Sequence, residues 1–89
     1  MISILYSRKF IRSYNRLDNS FKNKVKSKIK LLKNRENHGS LRVHKLHGEF
    51  TNVWSFSIDY SCRITFEYLS DKKVIMLDIG DHNIYKKRN

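Results

Sequence analysis

The sequence of 89 residues contains no proline, one cysteine and three glycines. A single cysteine, Cys62, cannot form an internal disulfide, so disulfide-stabilised secreted domains are excluded. The apolar run in the N-terminal MISILYSRKF is too short for a signal peptide or a membrane span. Because no low-complexity or repeated segment divides the chain, we expect a single cytosolic domain covering residues 1–89.

Acidic residues are also scarce, with eight Asp and Glu against 19 Lys and Arg, which gives a formal net charge of +11. A folded domain with this charge density usually has a polyanionic partner. The candidates are nucleic acid, an acidic protein and an acidic membrane surface. A membrane is the least favoured partner, since no segment combines a large aromatic or leucine face with basic flanks.

The N-terminal half predicts a short strand at residues 2–6, followed by two helices that form a hairpin. Apolar residues of the first helix recur at helical spacing: Phe10, Tyr14 and Leu17. Asn19 or Ser20 is a suitable N-cap for the second helix. Its apolar stripe consists of Phe21, Val25, Ile29 and Leu32.

Lysines occupy a different face of the second predicted helix: Lys22, Lys26, Lys30 and Lys33. Lys28 departs from this pattern because helical geometry places it near the apolar stripe, where its stem could pack while its ammonium reaches solvent. The lysine face is either a contact surface for nucleic acid or a solvated helix face, and both interpretations stay open.

After turn-rich residues 34–40, the apolar period changes from helical to alternating. One predicted half-buried strand alternates Trp54, Phe56 and Ile58 with Val53, Ser55 and Ser57. A second alternates Cys62, Ile64, Phe66 and Tyr68 with Arg63, Thr65 and Glu67. Residues 74–77 are continuously apolar, as in a strand covered on both faces. These elements predict an α+β fold: an N-terminal strand, a helical hairpin, and a three- to four-stranded, mainly antiparallel sheet packed on the helices.

Side chains suited to cleaving RNA without a metal are concentrated in the sheet half: His44, Lys45, His47, Arg63, Asp81, His82 and Tyr85. RNA carries its own nucleophile, so an enzyme has to move protons to and from oxygen and stabilise the extra phosphate charge. Histidine suits the proton transfers, and arginine or lysine suits the charge. Tyrosine can stack on an unpaired base or assist proton transfer.

Each of these residues also has a structural alternative. Arg63 could pair with Glu67 or Glu49, and Asp81 could be a turn residue after Gly80. His82 could be an ordinary surface histidine, Tyr85 a cap on the core, and Trp54 a core residue. His44 and His47 have the spacing of a metal pair, but no convincing further ligands accompany them, so we expect no metal and no other cofactor.

Two segments, HKLHGEFTNVWSFSIDYSCRITFEY and IMLDIGDHNIY, resemble the RelE/ParE superfamily of type II toxin–antitoxin toxins, and particularly its YafQ-like and RelE/StbE-type mRNA interferases. The likeness covers most of the chain and includes the order of the elements. Its motifs are His-x-Leu-x-Gly at residues 44–48, Trp-Ser at 54–55, Arg-Ile-x-Phe at 63–66 and Ile-Gly-x-His-x-x-Tyr at 79–85.

The resemblance implies a ribosome-dependent endoribonuclease that cuts mRNA without a metal and is neutralised by a cognate antitoxin. It implies that His82 and His44 are the general acid and base, in an order left open. Arg63 would stabilise the charge on the scissile phosphate, and Tyr85 would stack on a base or assist proton transfer. Lysines are expected to contact RNA or the ribosome: Lys22, Lys26, Lys30, Lys33, Lys45, Lys86 and Lys87.

The sequence also departs from the YafQ-like pattern, since Ser57 and Ser61 stand where those toxins have a histidine and an aspartate. His47, Lys45 or Asp81 could take over the missing role. Two other functions remain on the same fold: a ParE-like inhibitor of DNA gyrase, and a non-catalytic nucleic-acid-binding module. The antitoxin is expected to be a small acidic or amphipathic protein, and the sequence does not indicate which face it covers.

Overall fold

The computed structural model describes residues 1–46 and 52–81, which contain two α-helices and a five-stranded sheet. The strands are β1 (Ser3–Tyr6), β2 (His44–Lys45), β3 (Val53–Ser57), β4 (Arg63–Ser70) and β5 (Lys73–Gly80). The helices are α1 (Arg8–Asn15) and α2 (Asn19–Leu32), and a single 3₁₀ turn follows at Arg35–Asn37. Neither α-helix is long and apolar enough to cross a membrane.

The sheet has the strand order β1-β5-β4-β3-β2. The pairs β2–β3, β3–β4 and β4–β5 are antiparallel, whereas β1 lies parallel to β5. The predicted α+β fold, with its N-terminal strand, helical hairpin and mainly antiparallel sheet, is therefore confirmed. The parallel pairing of β1 with β5 also explains why two helices can separate the first strand from the rest of the sheet, since parallel neighbours need a crossover connection.

Both helices begin at a residue whose side chain accepts a backbone hydrogen bond. The Oγ atom of Ser7 accepts the N–H of Phe10 at 3.0 Å and donates to the carbonyl oxygen of Leu77 at 3.0 Å, which attaches α1 to β5. The N-cap of α2 is Asp18, whose Oδ1 accepts the N–H of Phe21 at 2.8 Å. The predicted N-cap, Asn19 or Ser20, is wrong because Asp18 supplies an equivalent acceptor one residue earlier.

The hydrophobic core lies between the two helices and one face of the sheet. Its buried helical residues are Phe10, Val25, Ile29 and Leu32. Its buried strand residues include Phe56, Ile64, Phe66, Val74, Met76 and Ile79. Phe56 and Phe66 meet edge to face, with ring centroids 5.7 Å apart. The predicted core role of Trp54 is confirmed in part: its ring is half-buried and packs edge to face on Tyr68.

The prediction that β3 and β4 are half-buried is correct only in part, because Val53 and Ser55 of β3 and Thr65 of β4 are buried on the second face, whereas Arg63 and Glu67 of β4 are half-buried there. Val53, Ser55 and Thr65 expose 4%, 0% and 6% of their surface. Both strands lie inside the sheet with a neighbour on each side, and small hydroxyl side chains can be buried when they have hydrogen-bond partners. On β5, Val74 and Met76 are buried and the intervening residues half-buried, as expected for a strand covered on both faces.

Candidate functional site

Polar side chains of β2, β3, β4 and β5 share the sheet face opposite the helices, which we call the outer face. Its members are His44, Ser55, Ser57, Arg63, Thr65 and Asp78. The register pairs His44 with Ser55, Ser55 with Thr65, and Thr65 with Asp78. Directly paired residues point to the same face, so these four form one row across the sheet. Ser57 and Arg63 pair in the next row.

A β-bulge places Asp78 on the outer face. Phe66 pairs with Met76 while Thr65 pairs with Asp78, so β5 has one extra residue, Leu77, at this point. Without the bulge, Leu77 would face Thr65 and Asp78 would point into the core. Bulges commonly redirect a side chain in this way beside functional sites.

Asp78 is nearly buried and pairs with a cation from α1. Its Oδ2 lies 3.3 Å from Nζ of Lys9, and its Oδ1 accepts the N–H of Ile79 at 2.8 Å. Only 7% of Asp78 is exposed. Neither residue was predicted from the sequence as part of a site, although a carboxylate inside the apolar run IMLDIG was a usable signal.

His44 lies on the edge strand β2 and is exposed. Its Nδ1 lies 2.8 Å from the carbonyl oxygen of Arg42. Because a carbonyl oxygen can only accept, Nδ1 carries the hydrogen in this bond. In the neutral ring, Nε2 is then the proton acceptor, which is the form that a general base requires.

Arg63 begins β4 and is half-buried on the outer face. Its Nη1 donates to Oγ of Ser57 at 3.3 Å. Among the described residues, the ion pairs are Lys9–Asp78 and Lys24–Asp59, so the alternative pairing of Arg63 with Glu67 is not formed. Glu49, the other alternative partner, lies outside the described residues.

The structure does not bring Lys45 to the outer face. Lys45 pairs with Trp54, whose ring packs on the core side, so its side chain points away from His44. Asp81 directly follows β5 and is exposed. Burial, together with the nearby carboxylates Asp59 and Asp81, raises the pKa of the Cys62 thiol to about 11, against an opposing effect of Arg63.

Five predicted site residues lie outside the described part of the chain: His47, His82, Tyr85, Lys86 and Lys87. Their roles stay predictions. Within residues 1–46 and 52–81, no group of three or more His, Cys, Asp or Glu side chains could hold a metal ion.

The predicted lysine face of α2 borders a groove between the two helices, which we call the helical groove. The cavity has a volume of about 390 Å³. Its lining residues are Tyr6, Phe10, Ile11, Tyr14, Lys26, Ile29, Lys30 and Lys33. Tyr6 and Ile11 are each 46% exposed, so the groove presents apolar surface with lysines at its rim. The fourth lysine of the predicted face, Lys22, lies over the ring of Tyr14, 5.7 Å from its centroid.

No family model and no curated protein matches the sequence. Solved structures do match it. YafQ from E. coli superposes with a TM-score of 0.76 at 18% identity, over 96% of this chain and 98% of that chain. A YoeB/ParE toxin from Agrobacterium tumefaciens gives a TM-score of 0.74 at 18% identity, over 91% of this chain and 99% of that chain. A chain of the E. coli DinJ–YafQ toxin–antitoxin complex gives 0.70 at 20% identity, over 93% and 94%. The chain therefore has the fold expected from its resemblance to RelE/ParE toxins.

Proposed function

We propose that this protein is the toxin of a type II toxin–antitoxin system and cleaves mRNA on the ribosome. The observation that carries the proposal is the outer face, which presents His44 and Arg63 on one sheet surface of a protein with a net charge of +11. The fold shared with YafQ and a YoeB/ParE toxin supports the toxin role.

The proposed reaction is an attack of the RNA 2′-hydroxyl on the adjacent phosphorus. His44 removes the 2′ proton through Nε2 while the bond between the 2′ oxygen and phosphorus forms. Arg63 stabilises the additional negative charge on the phosphorane. The bond to the 5′ oxygen then breaks, and His82 supplies the proton to that oxygen. Cleavage leaves a 2′,3′-cyclic phosphate and a 5′-hydroxyl. Because the RNA supplies the nucleophile and the three side chains handle the protons and the charge, the proposed step requires no metal or cofactor.

The spacing of His44 and Arg63 suits this reaction. His44 and Arg63 are separated by β3, so the strands that carry them lie roughly 10 Å apart. Side chains that point to the same face across this distance can contact one phosphodiester from two sides. The half-buried position of Arg63 and its bond to Ser57 hold the guanidinium near the sheet before RNA binds.

We also propose a cognate antitoxin as partner, with the helical groove as the surface that it covers. The groove combines exposed Tyr6 and Ile11 with rim lysines, which suits an amphipathic helix with an acidic border. Long-range attraction to a protein with a charge of +11 would speed this association, and burial of the apolar groove would maintain it. The match to a chain of the DinJ–YafQ toxin–antitoxin complex supports such a partner.

The first experiment induces the wild-type protein in growing cells and maps mRNA 5′ ends by primer extension. We expect growth arrest and new 5′ ends at in-frame positions only while the message is translated. His82→Ala and His44→Asn should abolish both effects without loss of folding. Lys73→Gln, at the far end of β5, serves as a control and should remain active.

Two outcomes would contradict the proposal. Cleavage of an untranslated message would remove the ribosome from the mechanism. Growth arrest without mRNA cleavage, in filamentous cells with damaged DNA, would instead support a ParE-like inhibitor of DNA gyrase.

A further inference from the structure

A second cavity, of about 360 Å³, lies where β3 ends and β4 begins. We call it the Arg42 pocket. Its lining includes Lys28, Arg42, Ser57, Asp59, Tyr60 and Arg63. Ser57 and Arg63 also belong to the outer face, so the pocket adjoins the proposed catalytic surface.

Positive charge dominates the Arg42 pocket, because three cations line it together with one carboxylate. That carboxylate, Asp59, already has hydrogen-bond and ion-pair partners other than the three cations of the pocket. Its Oδ1 accepts the N–H groups of Ser61 at 3.0 Å and Cys62 at 2.9 Å, and its Oδ2 lies 3.4 Å from Nζ of Lys24. Partial desolvation opposes its ionisation, but these contacts outweigh it and lower the pKa of Asp59. Within residues 1–46 and 52–81, no ion pair involves Lys28, Arg42 or Arg63, so an external anion can pair with them.

The backbone holds Arg42 in an unusual conformation beside the pocket. Its φ angle is 59°, in the left-handed region that residues other than glycine rarely adopt. Its N–H donates to the carbonyl oxygen of Gly39 at 3.1 Å, and its own carbonyl oxygen accepts a hydrogen bond from Nδ1 of His44 at 2.8 Å. The N–H of Ser57 donates to the carbonyl oxygen of Leu41 at 2.9 Å, which fixes this turn against β3. Strained residues of this kind are concentrated at functional sites.

Two further observations at the pocket point to nucleic acid. Tyr60 is 97% exposed, which leaves both faces of its ring accessible to a base. Lys28, the lysine that departs from the pattern of the α2 lysine face, is half-buried and lines this pocket. No contact within the described residues requires Tyr60 to be aromatic.

We propose that the Arg42 pocket binds a backbone phosphate of single-stranded RNA next to the scissile phosphate, while Tyr60 stacks on an adjacent base. This inference rests on the proposed function, because the outer face has to hold the scissile phosphate. Lys28 and Arg42 contact the neighbouring phosphate, and Arg63 lies between the two phosphate positions. The pocket would thereby set the direction in which the RNA strand crosses the sheet.

The test measures binding of a short single-stranded RNA by fluorescence anisotropy with the full-length protein. The oligonucleotide carries 2′-O-methyl groups, so it cannot be cleaved. Lys28→Gln removes one cation, and Arg42→Gly removes the guanidinium while keeping the left-handed backbone accessible. Tyr60→Ala removes the stacking surface. The matched control is Lys73→Gln, which removes the same charge at the opposite end of the sheet.

We expect Lys28→Gln and Arg42→Gly each to weaken binding roughly 5- to 20-fold and to reduce the slope of log affinity against log salt by about 0.7, as for one lost phosphate contact. Tyr60→Ala should weaken binding about 10-fold for single-stranded RNA and little for a duplex of the same length. Lys73→Gln should change the affinity less than twofold. Melting curves confirm that each variant is folded.

If Lys28→Gln and Lys73→Gln weaken RNA binding equally, the Arg42 pocket is not a specific phosphate-binding site, since diffuse positive charge would then explain the binding. Equal effects of Tyr60→Ala on single-stranded and duplex RNA would overturn the stacking role. These results are independent of the growth assay. If the pocket variants weaken binding but the wild type cleaves no mRNA in cells, the pocket stands and the proposed function fails. If cleavage occurs and the pocket variants bind RNA normally, the proposed function stands and the Arg42 pocket is not a phosphate-binding site.

Discussion

The Nδ1 atom of His44 donates a hydrogen bond to the carbonyl oxygen of Arg42, two residues earlier in the chain and 2.8 Å away. This bond fixes the orientation of an exposed ring on an edge strand that consists of only two residues. It also makes Nε2 the ring atom that can accept a proton.

The first prediction concerns that ring. His44→Asn retains a donor near the position of Nδ1, and His44→Gln retains one near Nε2, but neither side chain can act as a base. We expect both variants to lower mRNA cleavage by about 100-fold or more, with unchanged melting temperature. The control is His38→Gln, because Nε2 of His38 bonds the carbonyl oxygen of Leu32 away from the outer face. Full activity of His44→Asn would exclude His44 as the base.

The second prediction separates the charge of Arg63 from its position. Arg63→Gln should slow cleavage in a translation extract by about 100- to 1000-fold, because the phosphorane loses its charge partner. Arg63→Lys should retain part of the activity, since it keeps the charge but loses the planar fork. Ser57→Ala removes only the acceptor 3.3 Å from Nη1 and should cost less than about tenfold. A larger effect of Ser57→Ala than of Arg63→Gln would contradict this assignment.

The third prediction concerns the pair Lys9–Asp78. Lys9→Met leaves a carboxylate that is only 7% exposed without its cation, so we expect the free energy of unfolding to fall by about 1 to 2 kcal/mol. Urea denaturation measures this change. Arg8→Met alters the neighbouring exposed cation of α1 and should change stability by less than about 0.5 kcal/mol. Equal losses for the two variants would show that the ion pair does not stabilise the fold.

The fourth prediction tests the helical groove as the antitoxin surface. Ile11→Asp places a charge in the groove and should weaken binding of the protein encoded by the adjacent gene by at least about tenfold, as measured by calorimetry. Leu69→Asp is the matched control, because Leu69 is also an exposed apolar residue, at 52% against 46% for Ile11. Co-expression should then rescue growth for Leu69→Asp but not for Ile11→Asp. Rescue of both would place the antitoxin elsewhere.

The fifth prediction follows from the pKa of Cys62, which burial raises from an ordinary value of 9.0 to about 11. Because the thiolate is the reactive form, raising the pKa lowers reactivity at every pH below 11. At pH 8, alkylation by iodoacetamide should be about 100-fold slower in the folded protein than in the urea-unfolded chain. The rate should increase with pH until the pH approaches 11. Equal rates in both states would mean that the thiol is not shielded beside Asp59.

The order of the elements could be predicted from the sequence because each element carries its own period of apolar residues. Phe21, Val25, Ile29 and Leu32 specify one side of α2, and three of them are buried where the period predicts. The sequence could not specify Ser55 and Thr65 as buried, since burial of a second sheet face depends on tertiary contacts that the local alternation of apolar residues does not encode. The N-cap was missed because Asp18 and the two residues after it all have suitable side chains.

The candidate site was only partly predictable for a related reason. Residue type suggested His44 and Arg63 among seven candidates, and the family resemblance assigned their roles. The register places both on the outer face. Lys45 was grouped with them by sequence proximity, but adjacent residues of a strand point to opposite faces. Asp78 reaches the outer face only because of the bulge at Leu77, and no local sequence pattern predicts that bulge. The Arg42 pocket joins residues from a helix, a turn and two strand ends, so it becomes visible only after folding.

The parallel pairing of β1 with β5 affects how the protein is made. Ser7 bonds Leu77 across 70 residues, and β1 has its register partners in the last strand. During synthesis β1 leaves the ribosome first but cannot complete the sheet until β5 has emerged. Contacts between such distant residues form slowly, because the intervening chain has to be ordered before they are made. A nascent chain that stops before β5 lacks one of the two partner strands of β4, and with it Asp78. The outer face is therefore complete only after β5 has left the ribosome.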